Sequence, residues 1–377
     1  MAESSTSARL SLAGRSELRR YSRHLLIPEV GLAGQERLRA SRVLVIGAGG
    51  LGSPVLQYLA AAGVGRIGVV DDDTVDETNL QRQTILATSD IGKPKATVAA
   101  EHLRALNPLI EIDAFPLSFD VGNARELVRP YDLVVDCTDR FSTRYLINDA
   151  CILERKPDVY ASIFRFDGQV SVFGYDGGPC YRCLYPDAPP PGSVPTCAEG
   201  GVLGVLAGIV GAWQANEALK LILGIGEPLA GRLMLIESLG ARTREVRFER
   251  DAQCPMCGDD ASLHDVAEFA RDEERDEGDL EPAALDEALA GAILLDVREP
   301  HEAALGFIEG ALHIPASQLE ARMHELDSAH SYVVACRVGA KSLWAIRRLR
   351  DAGFTRVRHL RGGLLAYAAA HESFEFF

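Results

Sequence analysis

Arg42-Val-Leu-Val-Ile-Gly-Ala-Gly-Gly-Leu-Gly52 is the stretch on which the fold of this chain turns. Its first five residues, rich in β-branched side chains, read as a short strand buried on both faces. The glycines that follow read as a tight turn opening a helix, where backbone N–H groups can approach a phosphate. The same grammar continues outward. Arg66-Ile-Gly-Val-Val70 and Tyr131-Asp-Leu-Val-Val-Asp136 read as further strands, and helical stretches fall near 51–62, 94–106 and 122–129. That order spells βαβ units, hence an α/β fold with a doubly wound, mainly parallel sheet. Shorter strands around 158–174, a long helix near 201–223 and strands near 232–248 extend it.

The chain has 377 residues, 47% of them hydrophobic, with a net charge of -15. Its length suggests two domains. The negative balance argues against a nucleic-acid partner, since phosphate backbones call for a dense basic surface. The longest apolar stretch, Gly200 to Leu223, is interrupted by Gln214, Glu217 and Lys220. It reads as a buried helix rather than a membrane span. The first ten residues are polar and Ser-rich, without the apolar core of a signal peptide, so a cytoplasmic protein is expected. From Asp259 to Glu281 the sequence is crowded with Asp and Glu, a self-repelling run that reads as a linker. The expected division is 1–258, linker 259–281, and a second small α/β domain over 282–377. In that last part Ala292 to Asp296 and Ser331 to Ala335 read as strands, with a helix from Ser342.

A lone glycine-rich turn suits many nucleotide enzymes, a dinucleotide dehydrogenase above all. Asp71, about 20 residues downstream, fits that reading too. The segments beyond it do not. Asp71-Asp-Asp-Thr-Val-Asp-Glu-Thr-Asn-Leu-Gln-Arg-Gln83, Gly92-Lys-Pro-Lys95 and Asp136-Cys-Thr-Asp139 bring Arg82 and Lys95 toward the turn. Two cations there suit charge developing on a triphosphate rather than hydride transfer. Asp139, at the carboxyl end of a strand, is placed to hold Mg²⁺. Together with Arg20-Tyr-Ser-Arg23, these motifs resemble the MoeB/ThiF family, the bacterial relatives of ubiquitin-activating enzymes, over residues 17–257. The resemblance implies that Gly47, Gly49, Gly50, Gly52, Asp71, Thr78, Asn79, Leu80, Gln81, Arg82, Lys95, Asp139 and Arg140 surround ATP and its metal. It also implies a homodimer in which Arg23 reaches ATP across the two-fold interface. Arg140 departs from the Asn often found in the family.

Cys180-Tyr-Arg-Cys183 and Cys254-Pro-Met-Cys257 offer four thiolates, enough to close a tetrahedral Zn²⁺ shell. A closed shell makes the zinc structural, tying distant loops together. A redox role is the weaker reading, because neither pair opens a helix after a thioredoxin-like strand. Cys137 and Cys151 read as small core residues, and the nine histidines show no ligand spacing.

Cys197 lies in a Pro- and Gly-rich stretch just before the long apolar helix, whose N-terminus would lower a thiol's pKa. The C-terminal part resembles a single-domain rhodanese, through Asp296-Val-Arg-Glu-Pro-His-Glu302, Gly306-Phe-Ile-Glu-Gly-Ala-Leu-His-Ile-Pro315 and Cys336-Arg-Val-Gly-Ala-Lys-Ser342. Cys336, between a strand and a helix, would have its sulfur ringed by backbone N–H groups, with Arg337 and Lys341 adding positive charge.

The expected function is adenylation of the Gly-Gly end of a ubiquitin-like sulfur-carrier protein. Sulfur transfer from a Cys336 persulfide would follow, the sulfur coming from an upstream donor such as a cysteine desulfurase. The alternatives are a NAD-dependent oxidoreductase fused to a sulfurtransferase, or an adenylating enzyme whose second domain only docks partners.

Overall fold

The computed structural model of the chain describes residues 14–187, 200–267, 279–306 and 308–371. These residues fall into two compact units.

The first unit opens with three helices, α1 (Arg15–Arg20), α2 (Ser22–Leu25) and α3 (Gly31–Ala40). Strand β1 (Arg42–Ile46) then leads through the glycine turn into α4 (Gly52–Ala62). After it come β2 (Arg66–Val70), α5 (Lys95–Leu106), β3 (Glu111–Phe115), α6 (Ala124–Val128), β4 (Leu133–Asp136) and α7 (Phe141–Leu153). The unit closes with β5 (Asp158–Phe164), β6 (Asp167–Phe173), α8 (Tyr181–Leu184), the twenty-residue α9 (Gly204–Leu223), β7 (Arg232–Glu237) and β8 (Arg242–Arg247).

These strands form one eight-stranded sheet in the order β3-β2-β1-β4-β5-β6-β7-β8. The first five are mutually parallel, and β6 to β8 continue antiparallel. The strand order reverses between β1 and β4, which lie side by side with Val43 opposite Leu133. A crevice opens beyond the carboxyl ends of strands at such a point. β1 is buried from Val43 to Ile46, as a strand covered on both faces must be. Val43 and Val45 join Leu59, Ile67 and Val210 on one side, while Leu44 and Ile46 join Tyr131 and Ile147 on the other. Each such side chain contributes about 1.5–3 kcal/mol by leaving water. The long helix α9 lies close against α4, because a Cβ at Gly211 would stand 2.5 Å from Pro54 Cγ.

The acidic segment divides. Leu263 packs on the cysteine cluster and Val266 on the first unit's core, and Asp265 pairs with Arg125. Residues 268–278 lie outside the described residues.

The second unit is a four-stranded parallel sheet in the order β10-β9-β11-β12, from β9 (Ile293–Asp296), β10 (Leu312–His313), β11 (Tyr332–Ala335) and β12 (Val357–His359). Its helices are α10 (Leu285–Leu289), α11 (Pro300–Ala303), α12 (Leu319–Arg322), α13 (Ala340–Asp351) and α14 (Gly363–Ala370). Two apolar clusters sandwich the sheet, one around Leu295, Val334 and Ile346, the other around Leu294, Val333 and Leu364. No helix among the described residues is long and apolar enough to cross a membrane.

Candidate nucleotide, zinc and sulfur sites

The glycine turn after β1 is tight enough to demand its glycines. Gly47 has φ +98°, and a Cβ on it would stand 2.8 Å from the Cys137 carbonyl oxygen after β4. At Gly52 the conflict is harsher, 2.0 Å from the Gly47 oxygen. A Cβ at Gly50 would lie 3.4 Å from Arg82 Cγ, so the Arg82 stem crosses directly over the turn. Its Nη1 donates to the Thr78 carbonyl at 3.0 Å.

Asp71 closes the turn from β2. One of its oxygens accepts the Ala48 N–H at 2.7 Å and the other the Asp73 N–H at 3.0 Å. Burial raises its pKa, while those bonds and the Lys95 ammonium pull the other way. Lys95 is 5% exposed and pairs with Asp73 at 2.8 Å. Thr78 is fixed by Asp76, whose carboxylate accepts both its N–H and its hydroxyl and is held below the usual range by those bonds. Asn79 follows at 3.4 Å from the Thr78 hydroxyl. Leu80 packs on the core and Gln81 is exposed. Asp139 and Arg140 stand exposed on the loop after β4. The structure thus gathers the glycine turn, Asp71, Arg82, Lys95 and Asp139 at the carboxyl ends of β1, β2 and β4. Arg23 stands apart on α2, exposed and without an ion pair among the described residues.

The four cysteines converge. Sulfur separations are 3.9 Å for Cys180–Cys183, 3.6 Å for Cys180–Cys254 and 3.3 Å for Cys183–Cys257, and all four sulfurs lie within 4.8 Å of one another. A tetrahedral zinc with bonds of about 2.3 Å requires sulfurs about 3.8 Å apart, so the donor set fits that ion. Hydrogen bonding within the cluster drives Cys183 down and Cys180 up in pKa. Contrary to the sequence reading, Cys180 does open a helix, the single turn α8. Its sulfur nevertheless faces the second pair, as a metal cluster requires.

In the second unit Cys336 follows β11 and is 1% exposed. Its sulfur accepts the Gly339 N–H at 3.1 Å and the Ser342 N–H at 3.4 Å, with the Ser342 hydroxyl at 3.5 Å. Gly339 has φ +104°, which turns the chain back over the sulfur. Lys341 does not add an uncompensated charge: its ammonium pairs with Glu302 at 2.7 Å. Cys197 lies outside the described residues, and the helix expected near Gly200 begins at Gly204.

Comparison with known proteins bears on both units. The family model described as ThiF matches residues 21–256, and the rhodanese-like domain model matches 281–370. The chain belongs to the ThiF family. It is 53% identical to the sulfur carrier protein adenylyltransferase of Thermus thermophilus, over 68% of this chain and 96% of that one. It is 44% identical to the probable adenylyltransferase/sulfurtransferase MoeZ of Mycobacterium tuberculosis, over 95% of this chain and 94% of that protein. The mouse adenylyltransferase and sulfurtransferase MOCS3 is 40% identical over 94% and 86% of the two chains. E. coli MccB, solved with ATP, shares the fold at TM-score 0.56 and 23% identity, over 65% of this chain and 75% of that one. This ThiF protein with its rhodanese-like domain is an adenylyltransferase and sulfurtransferase, and the nicotinamide oxidoreductase alternative falls.

Three residues near these sites escaped the sequence reading. Gln214 of α9 is fully buried, and its amide donates to the Asp136 carbonyl at 2.5 Å and the Val159 carbonyl at 2.8 Å, fixing the ends of β4 and β5. Its signal was a polar residue inside an apolar helix. Arg144, 5% exposed, donates to the Thr138 carbonyl at 3.2 Å and the Ser162 hydroxyl at 3.0 Å, steadying the loop that carries Asp139. His359 comes to 3.0 Å from the Ser342 hydroxyl. Nothing in sequence spacing announces that contact.

Proposed function

We propose that the chain adenylates the C-terminal Gly-Gly carboxylate of a ubiquitin-like sulfur-carrier protein and then converts it to a thiocarboxylate. The observation that carries the reading is the placement of Arg82 and Lys95 around a glycine turn at the sheet's switch point. Carboxylates are poor acylating agents, and a mixed anhydride with AMP overcomes that. The carrier carboxylate attacks the α-phosphorus of ATP, and pyrophosphate leaves. The N–H groups of the turn hold phosphate oxygens, Asp71 accepts from the ribose, and Arg82 and Lys95 offset charge on the phosphates. Lys95 exchanges its Asp73 partner for phosphate as ATP binds. Asp139 would hold Mg²⁺, which would neutralise phosphate charge. Thr78, Asn79, Leu80, Gln81 and Arg140 frame the nucleotide. Cys180, Cys183, Cys254 and Cys257 would hold a zinc whose role is structural.

An upstream persulfide donor, such as a cysteine desulfurase, loads Cys336. The terminal sulfur attacks the acyl carbon and AMP leaves, giving an acyl disulfide on Cys336. A second thiol, Cys197, attacks the Cys336 sulfur, breaking the S–S bond and freeing the thiocarboxylate; the Cys197–Cys336 disulfide so formed is returned to two thiols by an external thiol reductant. The acidic segment tethers the two activities.

Val205, Ile209 and Trp213 form an exposed apolar stripe at helical spacing on α9, and Leu26 and Ile27 are exposed beside Arg23 in sequence. These faces support a symmetric homodimer in which Arg23 reaches the partner's nucleotide. Seven free cysteines among the described residues suit a reducing cytoplasm.

The test is exchange of labelled pyrophosphate into ATP. It should depend on a carrier ending in Gly-Gly; absence of exchange with every such carrier refutes the adenylation reading. Thiocarboxylate formation by the Cys336→Ala variant from a persulfide donor would leave the second domain a docking module.

A further inference from the structure

Behind the Cys336 sulfur lies a second layer of polar groups that the transfer reaction as written does not use. Ser342 is fully buried, and His359, on β12, is 5% exposed. Among the described residues the Ser342 hydroxyl oxygen has three polar neighbours: the Gly339 carbonyl at 2.8 Å, His359 Nδ1 at 3.0 Å and the Cys336 sulfur at 3.5 Å. The imidazole also packs against the loop itself, since a Cβ on Gly339 would stand 3.1 Å from His359 Cε1. Its backbone is fixed independently, His359 lying opposite Val334 of β11, two residues before the cysteine.

A hydroxyl has one proton to give. The Gly339 carbonyl only accepts, and a thiolate or persulfide sulfur only accepts. If Nδ1 carried no proton, it would be a third acceptor, closer to Oγ than the sulfur is, and would draw the hydroxyl away. If Nδ1 carries the proton, it donates to Oγ, and the hydroxyl is left to serve the sulfur and the carbonyl. A protonated Nδ1 therefore removes one of the two acceptors nearer to Oγ than the sulfur, leaving the sulfur to compete with the Gly339 carbonyl alone and raising its share of the hydroxyl proton.

We propose that His359 is a positioning residue for sulfur transfer, acting through Ser342 to orient a hydroxyl donor onto the Cys336 sulfur. The proposal rests on Cys336 being the sulfur carrier. The charged side chains on the surrounding elements are Arg337 of the loop, Lys341, Arg347, Arg348, Arg350 and Asp351 of α13, Arg358 on β12, and Arg361 after it. Of these, Lys341 pairs with Glu302 at 2.7 Å and Arg361 with Glu281 at 2.6 Å. A donor on the sulfur stabilises its anion, so losing one raises the thiol pKa and slows turnover.

The experiment uses the full chain and the variants His359→Leu, His359→Asn, Ser342→Ala and Cys336→Ala. The Asn amide nitrogen falls where Nδ1 stands and can donate in its place. Two quantities are read: the pH dependence of Cys336 alkylation by iodoacetamide, followed on the peptide that carries it, and kcat and KM for sulfur transfer from thiosulfate to cyanide. Pyrophosphate exchange and the melting transition report folding. His359→Leu and Ser342→Ala should each shift the alkylation profile to higher pH and lower kcat about tenfold with KM little changed, the loss of one hydrogen bond to a charged group. The double variant should be no worse than either, because the two act in one chain. His359→Asn should restore both readouts. The proposal is overturned if His359→Leu leaves both within twofold, or if His359→Asn is as impaired as His359→Leu. Should His359→Leu fail to fold, Ser342→Ala against His359→Asn decides: an unshifted Ser342→Ala or an impaired Asn variant overturns it. Full transfer by Cys336→Ala would refute the underlying assignment instead, and so separates the two failures.

Discussion

Replacing Gly52 by Ala adds one methyl group at the most crowded point of the glycine turn. An ideal Cβ there stands 2.0 Å from the Gly47 oxygen and 2.9 Å from the Gly47 carbonyl carbon, both backbone atoms. Carbon and oxygen tolerate about 3.3 Å, so the turn must open by about 1.3 Å. Neither neighbour is the flexible end of a side chain, and Gly47 is itself crowded by the Cys137 carbonyl on its other side, with its N–H donated to the Val70 carbonyl. The displacement therefore passes to the N–H groups proposed to hold phosphate. Misplacement on the order of 1 Å costs about 100-fold in rate, equal to about 2.7 kcal/mol of transition-state binding. Carrier-dependent pyrophosphate exchange should fall by about that factor. Transfer of sulfur from thiosulfate to cyanide, which needs only the second unit, should stay unchanged and acts as an internal control. If exchange stays within threefold of wild type while the protein remains folded, the glycine turn is not the phosphate cradle.

Cys254→Ala should remove about one equivalent of zinc per chain, measured by elemental analysis, and lower the melting temperature; unchanged metal content would remove the zinc assignment. Arg82→Ala should cut pyrophosphate exchange about 100-fold while leaving the melting temperature nearly unaltered, because its only hydrogen bond among the described residues is to the Thr78 carbonyl. Glu154, paired with Arg125 and Arg129, has its pKa lowered to about 2 from 4.5, chiefly by the Arg129 hydrogen bond. Because the folded value is depressed, this stabilisation is complete above about pH 4.5 and is lost as pH falls toward 2. Arg129 is 64% exposed, so solvent screening holds the contribution to about 1 kcal/mol. Glu154→Gln should lower stability by that amount at neutral pH and have progressively less effect as the acid is approached, followed by urea unfolding.

The sequence by itself settled those features whose cause is local. Strands β1, β2 and β4 were legible because a strand covered on both faces has to be continuously apolar, and the turn after β1 because only glycine tolerates its backbone. The paired Cys-x-x-Cys motifs and the loop that begins at Cys336 announced themselves by spacing alone. Strand β3, Glu111–Phe115, gave no such signal: Glu111 and Asp113 break the apolar run, and it is a strand because it pairs along β2 at the sheet edge. Helix α7 was missed for a related reason, since its buried face includes Arg144, Asn148 and Asp149, which find partners only in the folded unit. The four thiols could be counted from the sequence, but their convergence needed the end of β8 to return beside the end of β6. His359 is the sharpest case. It stands twenty-three residues beyond Cys336 and meets its serine only because β12 lies against β11. Composition and spacing specify which groups are available, whereas hydrogen bonds between distant strands fix which of them share a proton.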